Sequence, residues 1–436
     1  MNFLAHFATE RRRHCVAGED GMETMSEHMV IIGAGEAGSR AAFALRELGF
    51  AGSVTLIGEE MHLPYERPPL SKDALTTEDA PGPKTIATVA RFEASAITCL
   101  TGIKVHGIDR VAKRVHLSDG RTLAYHRLLL ATGASARRII LPGDGDDRHC
   151  VTLRRFEDVA RLRSHFRPGA RIAIIGGGFI GLEVAASAIQ RGAGVTLIEV
   201  QQRILSRGVP EEIARMVEAR HLASGVELVC GIPILSLQDR GGQAVLRLAN
   251  GREIAADLVV AGVGAVPSTE LAEAAGLAIE NGIAVDAQLR TSDPSIFAAG
   301  DCCSFPLPVY DNRRVRLESW RNAQDHGALA ARNMLGANDM ISAVPWFWSD
   351  QYDLSLQVAG LVDQGCSIVR RDLGPHAVLQ FHLDGTGRLV AASGIGPGNA
   401  VARDIRLAEM LIARRTRPSA AALSAPNVNL KSLLAA

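Results

Sequence analysis

Cysteine is scarce and unpatterned in this chain. Seven occur, Cys15, Cys99, Cys150, Cys230, Cys302, Cys303 and Cys366, and none forms a Cys-x-x-Cys pair. That excludes a zinc knuckle or a thioredoxin-like dithiol and suits a reducing cytosol. Net charge is lacking too: 47 basic residues balance 47 acidic ones. A protein built mainly to coat nucleic acid needs a basic surface, so that class is excluded. No apolar run approaches the ~18 to 20 residues that span a bilayer. Aromatic residues make up only 4% of the chain. Hydrophobic residues at 47% and charged residues at 22% are ordinary globular values, which excludes large-scale disorder. A length of 436 residues predicts roughly three domains.

The first 27 residues differ from the rest. Phe3, Leu4 and Phe7 with Arg11, Arg12 and Arg13 hint at a targeting helix, but Glu10, Glu19, Asp20, Glu23 and Glu27 fill the segment with acid. Residues 1–27 are therefore expected to form a disordered tail, or to follow a misassigned start.

Glycine, by contrast, is plentiful, with 43 residues. Two segments repeat each other: Met29-Val-Ile-Ile-Gly33-Ala-Gly35-Glu-Ala37-Gly38 and Ile172-Ala-Ile-Ile-Gly176-Gly-Gly178-Phe-Ile-Gly181. In each, a β-branched run meets Gly-x-Gly-x-x-Gly and then a helix-period stretch, Arg40 to Leu48 or Leu182 to Arg191. A second strand follows and ends in an acid. Glu59 stands 21 positions after Gly38, and Glu199 stands 18 after Gly181. This is the dinucleotide fingerprint. The first glycine permits the tight turn, the second lets backbone approach a pyrophosphate, and the third lets helix and strand pack closely. The phosphates face unpaired amides at the positive end of the helix. One such motif alone is weak evidence, but two complete copies are strong.

Two dinucleotide folds imply two dinucleotides, FAD in the first and a nicotinamide cofactor in the second, with their redox rings face to face. A carboxylate at Glu199 pairs with a ribose 2′-hydroxyl and repels a 2′-phosphate, so NADH is expected over NADPH. Further strands end in small residues at Ala131-Thr132-Gly133, Gly262-Val-Gly264 and Gly300-Asp301. The Asp301 carboxylate is suited to accept hydrogen bonds from sugar or ribityl hydroxyls.

From Met29 to Ala436 the chain resembles the FAD-dependent, NADH-linked ferredoxin reductases of bacterial oxygenase systems, the family of putidaredoxin reductase and the reductase components of Rieske dioxygenases. The marks are Pro64-Tyr-Glu-Arg67-Pro-Pro-Leu-Ser71-Lys72, the Gly176-to-Glu183 segment, Phe297-Ala-Ala-Gly300-Asp301, Glu318-Ser-Trp320-Arg-Asn-Ala and Asn429-Leu-Lys431-Ser-Leu. Most specific is Pro345-Trp-Phe-Trp348-Ser-Asp350-Gln351-Tyr352. The resemblance implies an α/β fold with two Rossmann-like dinucleotide-binding domains, glutathione-reductase-like, plus an α+β C-terminal domain. An FAD domain would comprise residues 28–139 and 265–329, an NAD domain residues 140–264, and a C-terminal reductase domain residues 330–436.

The resemblance also assigns roles. Gly33, Gly35, Ala37 and Gly38 would hold the FAD pyrophosphate, and Glu59 the adenosine ribose. Lys72 would lie beside the flavin with Glu183 as its ion-pair partner. Arg67, Val105, Thr132, Gly133, Arg154, Gly300, Asp301 and Trp320 would line the FAD site. Gly176, Gly178, Gly181, Glu199, Gly262 and Gly264 would serve NADH. No metal site is expected. The partner would be an acidic two-iron two-sulfur ferredoxin, the chain a cytoplasmic monomer or weak homodimer. Arg313, Arg314, Arg316 and Arg321, or Arg414-Arg-Thr-Arg417, would offer the docking charge.

The alternatives are a rubredoxin reductase, a diaphorase, or an NADH-dependent flavoprotein redox sensor. A disulfide reductase or a peroxide-reducing oxidase needs a cysteine near the flavin. None occurs between Cys15 and Cys99, and the relevant stretch reads Leu70-Ser71-Lys72-Asp73. The glycine-rich stretch Ser393-Gly-Ile-Gly-Pro-Gly-Asn399 departs from the family pattern.

Overall fold

The computed structural model describes residues 27–79, 82–143 and 149–435. The expected N-terminal tail, Glu27 apart, lies outside the described residues. Two five-stranded parallel sheets dominate the first three quarters of the chain. The first has the order Ile296–Ala298, Arg127–Leu130, His28–Ile32, Ser53–Ile57, Ile97–Leu100. The second has the order Glu227–Cys230, Gly194–Glu199, Arg171–Ile175, Leu258–Ala261, Cys150–Val151. The chain thus makes four strands of the first sheet, builds the whole second sheet, and returns with Ile296–Ala298. Outward and return crossings run side by side, with Ala134–Ala136 antiparallel to Ala265–Pro267.

The central strands read as unbroken apolar runs because parallel sheets are covered on both faces. Val30, Ile31, Leu128, Leu129 and Leu130 in the first sheet, and Ala173, Ile174 and Val259 in the second, are fully buried. Cutting Ile31 or Leu129 to alanine is expected to cost about 2–5 kcal/mol.

Both fingerprint helices start earlier than their apolar period suggests. They run Glu36–Glu47 and Phe179–Gln190, with Gly35 and Gly178 as the extended N-cap residues. The period is masked in the first turn because the glycines and small residues required there, Ala37 and Gly38 in one helix and Gly181 in the other, carry little apolar signal. The first acid also sits differently. Strand Ser53–Ile57 ends two residues before Glu59, whereas Glu199 closes its own strand.

The last hundred residues form an antiparallel sheet in the order Trp346–Gln351, Leu354–Gly360, Leu389–Pro397, Val378–Leu383, Ser367–Asp372. The helix Ala402–Ala413 lies across it, and this explains the glycine-rich stretch. A Cβ on Gly394 would stand 2.6 Å from Leu379, 3.0 Å from Val401 and 3.3 Å from Ile405. One on Gly396 would stand 2.8 Å from Ala377 and 3.1 Å from Ala400. The two glycines are two residues apart on one face of a strand, so they clear the path by which the chain turns into the helix. Among the described residues no helix is long and apolar enough to cross a membrane.

Candidate active site

The two glycine turns are copies in three dimensions. Gly33 has φ +109° and Gly176 φ +106°, conformations that L side chains rarely adopt. A Cβ there would lie 2.0 Å from the Ala131 carbonyl oxygen and 2.5 Å from that of Gly262. On the third glycines it would lie 1.9 Å from the Gly33 oxygen and 2.1 Å from the Gly176 oxygen. The middle glycines, Gly35 and Gly178, have nothing within 4 Å. Outer glycines therefore serve close packing, and the middle one leaves backbone open at the start of a twelve-residue helix. Such an opening, at the free amides of a helix's amino end, is suited to a phosphate group.

Around the first opening, several charged groups converge. Asp301 follows Gly300, which has φ +82° and would bring a Cβ 3.2 Å from Ala37. Burial pushes the Asp301 carboxyl above the usual carboxylate range, against the Arg154 guanidinium paired to it at 3.0 Å. Arg154 also donates to the Ala134 carbonyl, and Thr132 donates to Ser268 at 2.7 Å, so the crossing strands are tied to the site. Gly133, at φ +68°, faces Arg154. Arg67 pairs with Glu60 at 2.7 Å and donates to the Arg154 carbonyl. Burial raises Glu60, but the Arg67 charge and the Tyr65 hydroxyl outweigh it and leave the carboxyl below its usual range. Val105 is buried at the start of its strand. Glu59 lies further out, half exposed, 3.6 Å from Arg155.

Trp320 opens the helix Trp320–Met334, whose N-cap Ser319 accepts from the Asn322 amide. All three tryptophans meet here. Trp346 and Trp348 stack at 5.3 Å, and Trp320 stands edge-on to Trp348 at 6.1 Å. Glu36, in the first turn of the first helix, accepts from Gln324. Burial pushes its carboxyl up, and its Oε2 is buried with no hydrogen-bond partner. A buried carboxylate oxygen left without a partner is what a site completed by a polar ligand shows.

Lys72 and Glu183 come together across the two halves of the molecule. Lys72 Nζ lies 2.9 Å from Glu183 Oε1; Glu183 is only 5% exposed, so the pair is largely withdrawn from water. Lys72 follows the short turn Pro68–Ser71, and Glu183 projects from the second fingerprint helix. Ser71 donates to Glu183 Oε2 at 2.5 Å and Ser349 to Oε1 at 2.6 Å. Ser187, one turn on, donates to the Ser71 carbonyl at 2.7 Å and pins the Lys72 loop to this helix. A buried carboxylate with three donors is satisfied, as burial of charge requires.

On the second side, Glu199 accepts from the Gly177 amide at 2.7 Å and the Gln201 amide at 2.8 Å. Gly264 has φ +102° and open space beside it, at the edge of the same loop cluster as Gly262. Ser349, Ser71, Glu36 and Glu60 escaped the sequence reading. Ser349 was visible only as part of a motif, Ser71 and Glu60 as neighbours of expected residues. Glu36 occupies a variable position of the fingerprint.

Of the described cysteines, Cys99, Cys230, Cys302, Cys303 and Cys366 are free thiols. Cys302 and Cys303, beside Asp301, are buried, and burial pushes both thiols up. Neither is suited to act as a thiolate.

Residues 27–327 match the family described as pyridine nucleotide-disulphide oxidoreductase, and residues 346–434 match the reductase C-terminal family. The chain is 42% identical over 414 residues to the ferredoxin–NAD(+) reductase component of the anthranilate 1,2-dioxygenase system of Burkholderia cepacia, covering 94% of this chain and 100% of that protein. It is 39% identical to the corresponding component of the p-cumate 2,3-dioxygenase system of Pseudomonas putida, covering 92% and 97%. A crystal structure of the covalent putidaredoxin reductase–putidaredoxin complex superposes with a TM-score of 0.87 at 34% identity, covering 94% and 98%.

Proposed function

The chain belongs to the pyridine nucleotide-disulphide oxidoreductase family, and on that premise we propose that it moves electrons from NADH through FAD to a ferredoxin serving an oxygenase. The observation that carries this is the pairing of Lys72 with Glu183 at 2.9 Å in a chain with two open glycine turns, with no thiol suited to act as a thiolate beside Asp301 among the described residues. Held at the first glycine turn, FAD would supply a two-electron hydride acceptor able to release electrons singly.

Everything else is the work of this chain's residues. The first glycine turn holds the FAD pyrophosphate at the amino end of Glu36–Glu47, and the second holds that of NADH. Glu59 and Glu199 take the adenosine riboses, and Asp301 takes a ribityl hydroxyl. The Glu199 carboxylate, aimed by the Gly177 and Gln201 amides, favours a 2′-hydroxyl over a 2′-phosphate. Lys72 presents a fixed positive charge where negative charge develops, and Glu183 keeps that ammonium ordered in a site poor in water. Hydride transfer needs no acid or base, so neither residue has to exchange a proton during it. The three tryptophans form the apolar rim through which a two-iron two-sulfur ferredoxin is approached.

The test is an anaerobic NADH titration followed by visible absorbance, run beside NADPH, then addition of a two-iron ferredoxin or a rubredoxin. About one equivalent of NADH should bleach the flavin, and the reduced protein should reduce the ferredoxin faster than the rubredoxin. A colourless protein that takes up no FAD overturns the reading. Faster reduction of rubredoxin replaces the partner and keeps the chemistry.

A further inference from the structure

A chain of hydrogen bonds runs from Glu183 to the protein surface, and the Lys72–Glu183 pairing uses only its inner end. Ser349 donates to Glu183 Oε1 at 2.6 Å, and Gln351 Nε2 lies 3.0 Å from Ser349 Oγ. His221 Nε2 lies 2.8 Å from Gln351 Oε1, and the Tyr352 hydroxyl lies 3.3 Å from His221 Nδ1. Ser349, Gln351 and His221 are buried, at 1%, 4% and 0% exposure. The chain crosses three units: the second fingerprint helix, the strand Trp346–Gln351 and the helix Glu211–Ala223.

One charge fixes the direction of every link. A carboxylate only accepts, so Ser349 donates to Glu183. Its oxygen is then free to accept, so the Gln351 amide nitrogen faces it. The amide oxygen therefore faces His221, whose Nε2 must carry the proton. Its Nδ1 is left bare and accepts from Tyr352. Burial lowers the His221 pKa, consistent with a neutral ring holding one tautomer.

Two further features belong to the same construction. Tyr352 has φ +57°, a conformation rare for a bulky residue, and this turns its ring onto His221 at 5.0 Å between centroids. Arg220 covers the outer face of the Tyr352 ring at 4.3 Å and pairs with Asp353 at 2.7 Å. A cavity of about 10 Å³ beside the relay is lined by Arg220, His221, Ser349, Gln351 and Tyr352 together with the apolar Val217, Leu354, Leu356 and Ile395. Tyr352 is the first residue of the two-residue turn that joins Trp346–Gln351 to Leu354–Gly360, and such a turn calls for a positive φ there.

We propose that Ser349, Gln351 and His221 are positioning residues for the reaction, holding the Glu183 carboxylate in place against Lys72 through a one-directional relay anchored at Tyr352. This rests on the reading that Lys72 and Glu183 flank the reacting rings. The relay contributes by orientation: with a donor removed, Glu183 gains rotamers and the Lys72 ammonium loses its fixed position.

Two measurements test it. In ¹⁵N-histidine NMR of the protein without NADH, His221, assigned by its loss in His221→Phe, should show a protonated Nε2 and a bare Nδ1. In Ser349→Ala that signature should move toward a mixture of tautomers. In stopped-flow reduction by NADH, Ser349→Ala should slow the limiting rate about tenfold with the NADH half-saturation concentration unchanged. Ser349→Thr, which keeps the hydroxyl, should stay within about twofold of wild type. His221→Phe, which keeps the ring packed on Tyr352 without either nitrogen, should fall between them. It carries the test alone if Ser349→Ala does not fold. Wild-type rates in Ser349→Ala and His221→Phe, while Glu183→Gln is slow, overturn the relay and leave the proposed function standing. Wild-type reduction in Glu183→Gln overturns both.

Discussion

The two dinucleotide halves share a cradle and differ in what surrounds it. Their first glycines have φ +109° and +106°, and their third glycines would each bring a Cβ to about 2 Å of a carbonyl oxygen. At the seventh position after the first glycine the copies part. In the first half stands Arg40, paired with Glu47 at the surface; in the second stands Glu183, buried and paired with Lys72 from the other half. The strand-end acids differ as well, with Glu199 aimed by two backbone amides and Glu59 half exposed. On the proposed function, a fold repeated for binding is set to its chemistry by side chains that are not repeated.

The largest expected effect separates the cradles. Gly38→Ala and Gly181→Ala each push a Cβ into backbone, at roughly 3 kcal/mol or more. Gly38→Ala should purify without flavin. Gly181→Ala should keep its flavin spectrum but resist bleaching by NADH. Loss of flavin in both variants would mean that the halves do not load independently.

Next comes the position at which the copies diverge. Glu183→Gln should slow flavin reduction by NADH about 10- to 100-fold, the range expected when a preorganised charge is disturbed. Arg40→Gln, its counterpart, should leave that rate within about twofold. Equal effects in single-turnover kinetics would remove the contrast. At the strand ends, Glu199→Ala should lower kcat/KM for NADH about tenfold or more, since a charged hydrogen bond to the ribose is lost. Its effect on NADPH should be smaller or opposite in sign. Glu59→Ala, outside the nicotinamide site, should instead weaken FAD retention, read by fluorescence of released flavin.

The cradles and their sheets were legible because the fingerprint is local: strand, turn, helix and acid lie within some thirty residues. The return of Ile296–Ala298 to the first sheet and the Lys72–Glu183 meeting are contacts between distant segments, and only resemblance pointed to them. Ser349 and Gln351 sat within a recognised motif, yet their task depends on which face of the strand they occupy. On Trp346–Gln351 the alternation puts Trp346 and Trp348 on one face and Ser349 and Gln351 on the other. The need for Gly394 and Gly396 is likewise not local, since it comes from Leu379 on the neighbouring strand and Ala377 just before it, and from Ala400, Val401 and Ile405 later in the chain.

Acid probes the buried imidazoles, one of which supports the first half. His326 lies behind the Gly300 turn, accepts from the Gly300 amide at 3.4 Å, and is pushed down to about 3 by burial. In the unfolded chain its pKa is near 6.5. As pH falls from about 6.5 to about 3, the unfolded state binds a proton that the native state does not, so stability declines with falling pH. The slope is at most about 1.4 kcal/mol per unit from this group. His382, pushed down to about 4, adds a similar decline over a shorter window. Denaturant unfolding of the protein at pH 7, 5.5 and 4.5 should show the fall, and His326→Phe should flatten part of it. Stability unchanged across that window would contradict the buried, neutral ring.

The smallest effect concerns the surface cations. The four arginines of the first cluster expected to dock a ferredoxin are each met by an acid. Arg313 lies 2.7 Å from Asp363, Arg314 3.0 Å from Glu280, Arg316 2.5 Å from Glu318, and Arg321 3.3 Å from Asp325. In the second run, Arg414 donates to the Leu434 carbonyl and Arg415 pairs with Asp311 at 2.6 Å. Exposed pairs contribute about 0–1 kcal/mol each and leave little net field. Long-range steering depends on uncompensated charge, so these clusters attract an acidic partner weakly. Charge reversal at Arg313 and Arg314 frees Asp363 and Glu280 as well, and should lower kcat/KM for ferredoxin by about two- to fivefold at low salt. That loss should vanish as the Debye length shortens to ~8 Å near 0.15 M salt, with dye reduction as the control for the NADH side. A loss that persists at high salt would mean that these arginines touch the partner directly. No loss at any salt would move the docking face to the tryptophan rim, where Trp320, Trp346 and Trp348 already meet.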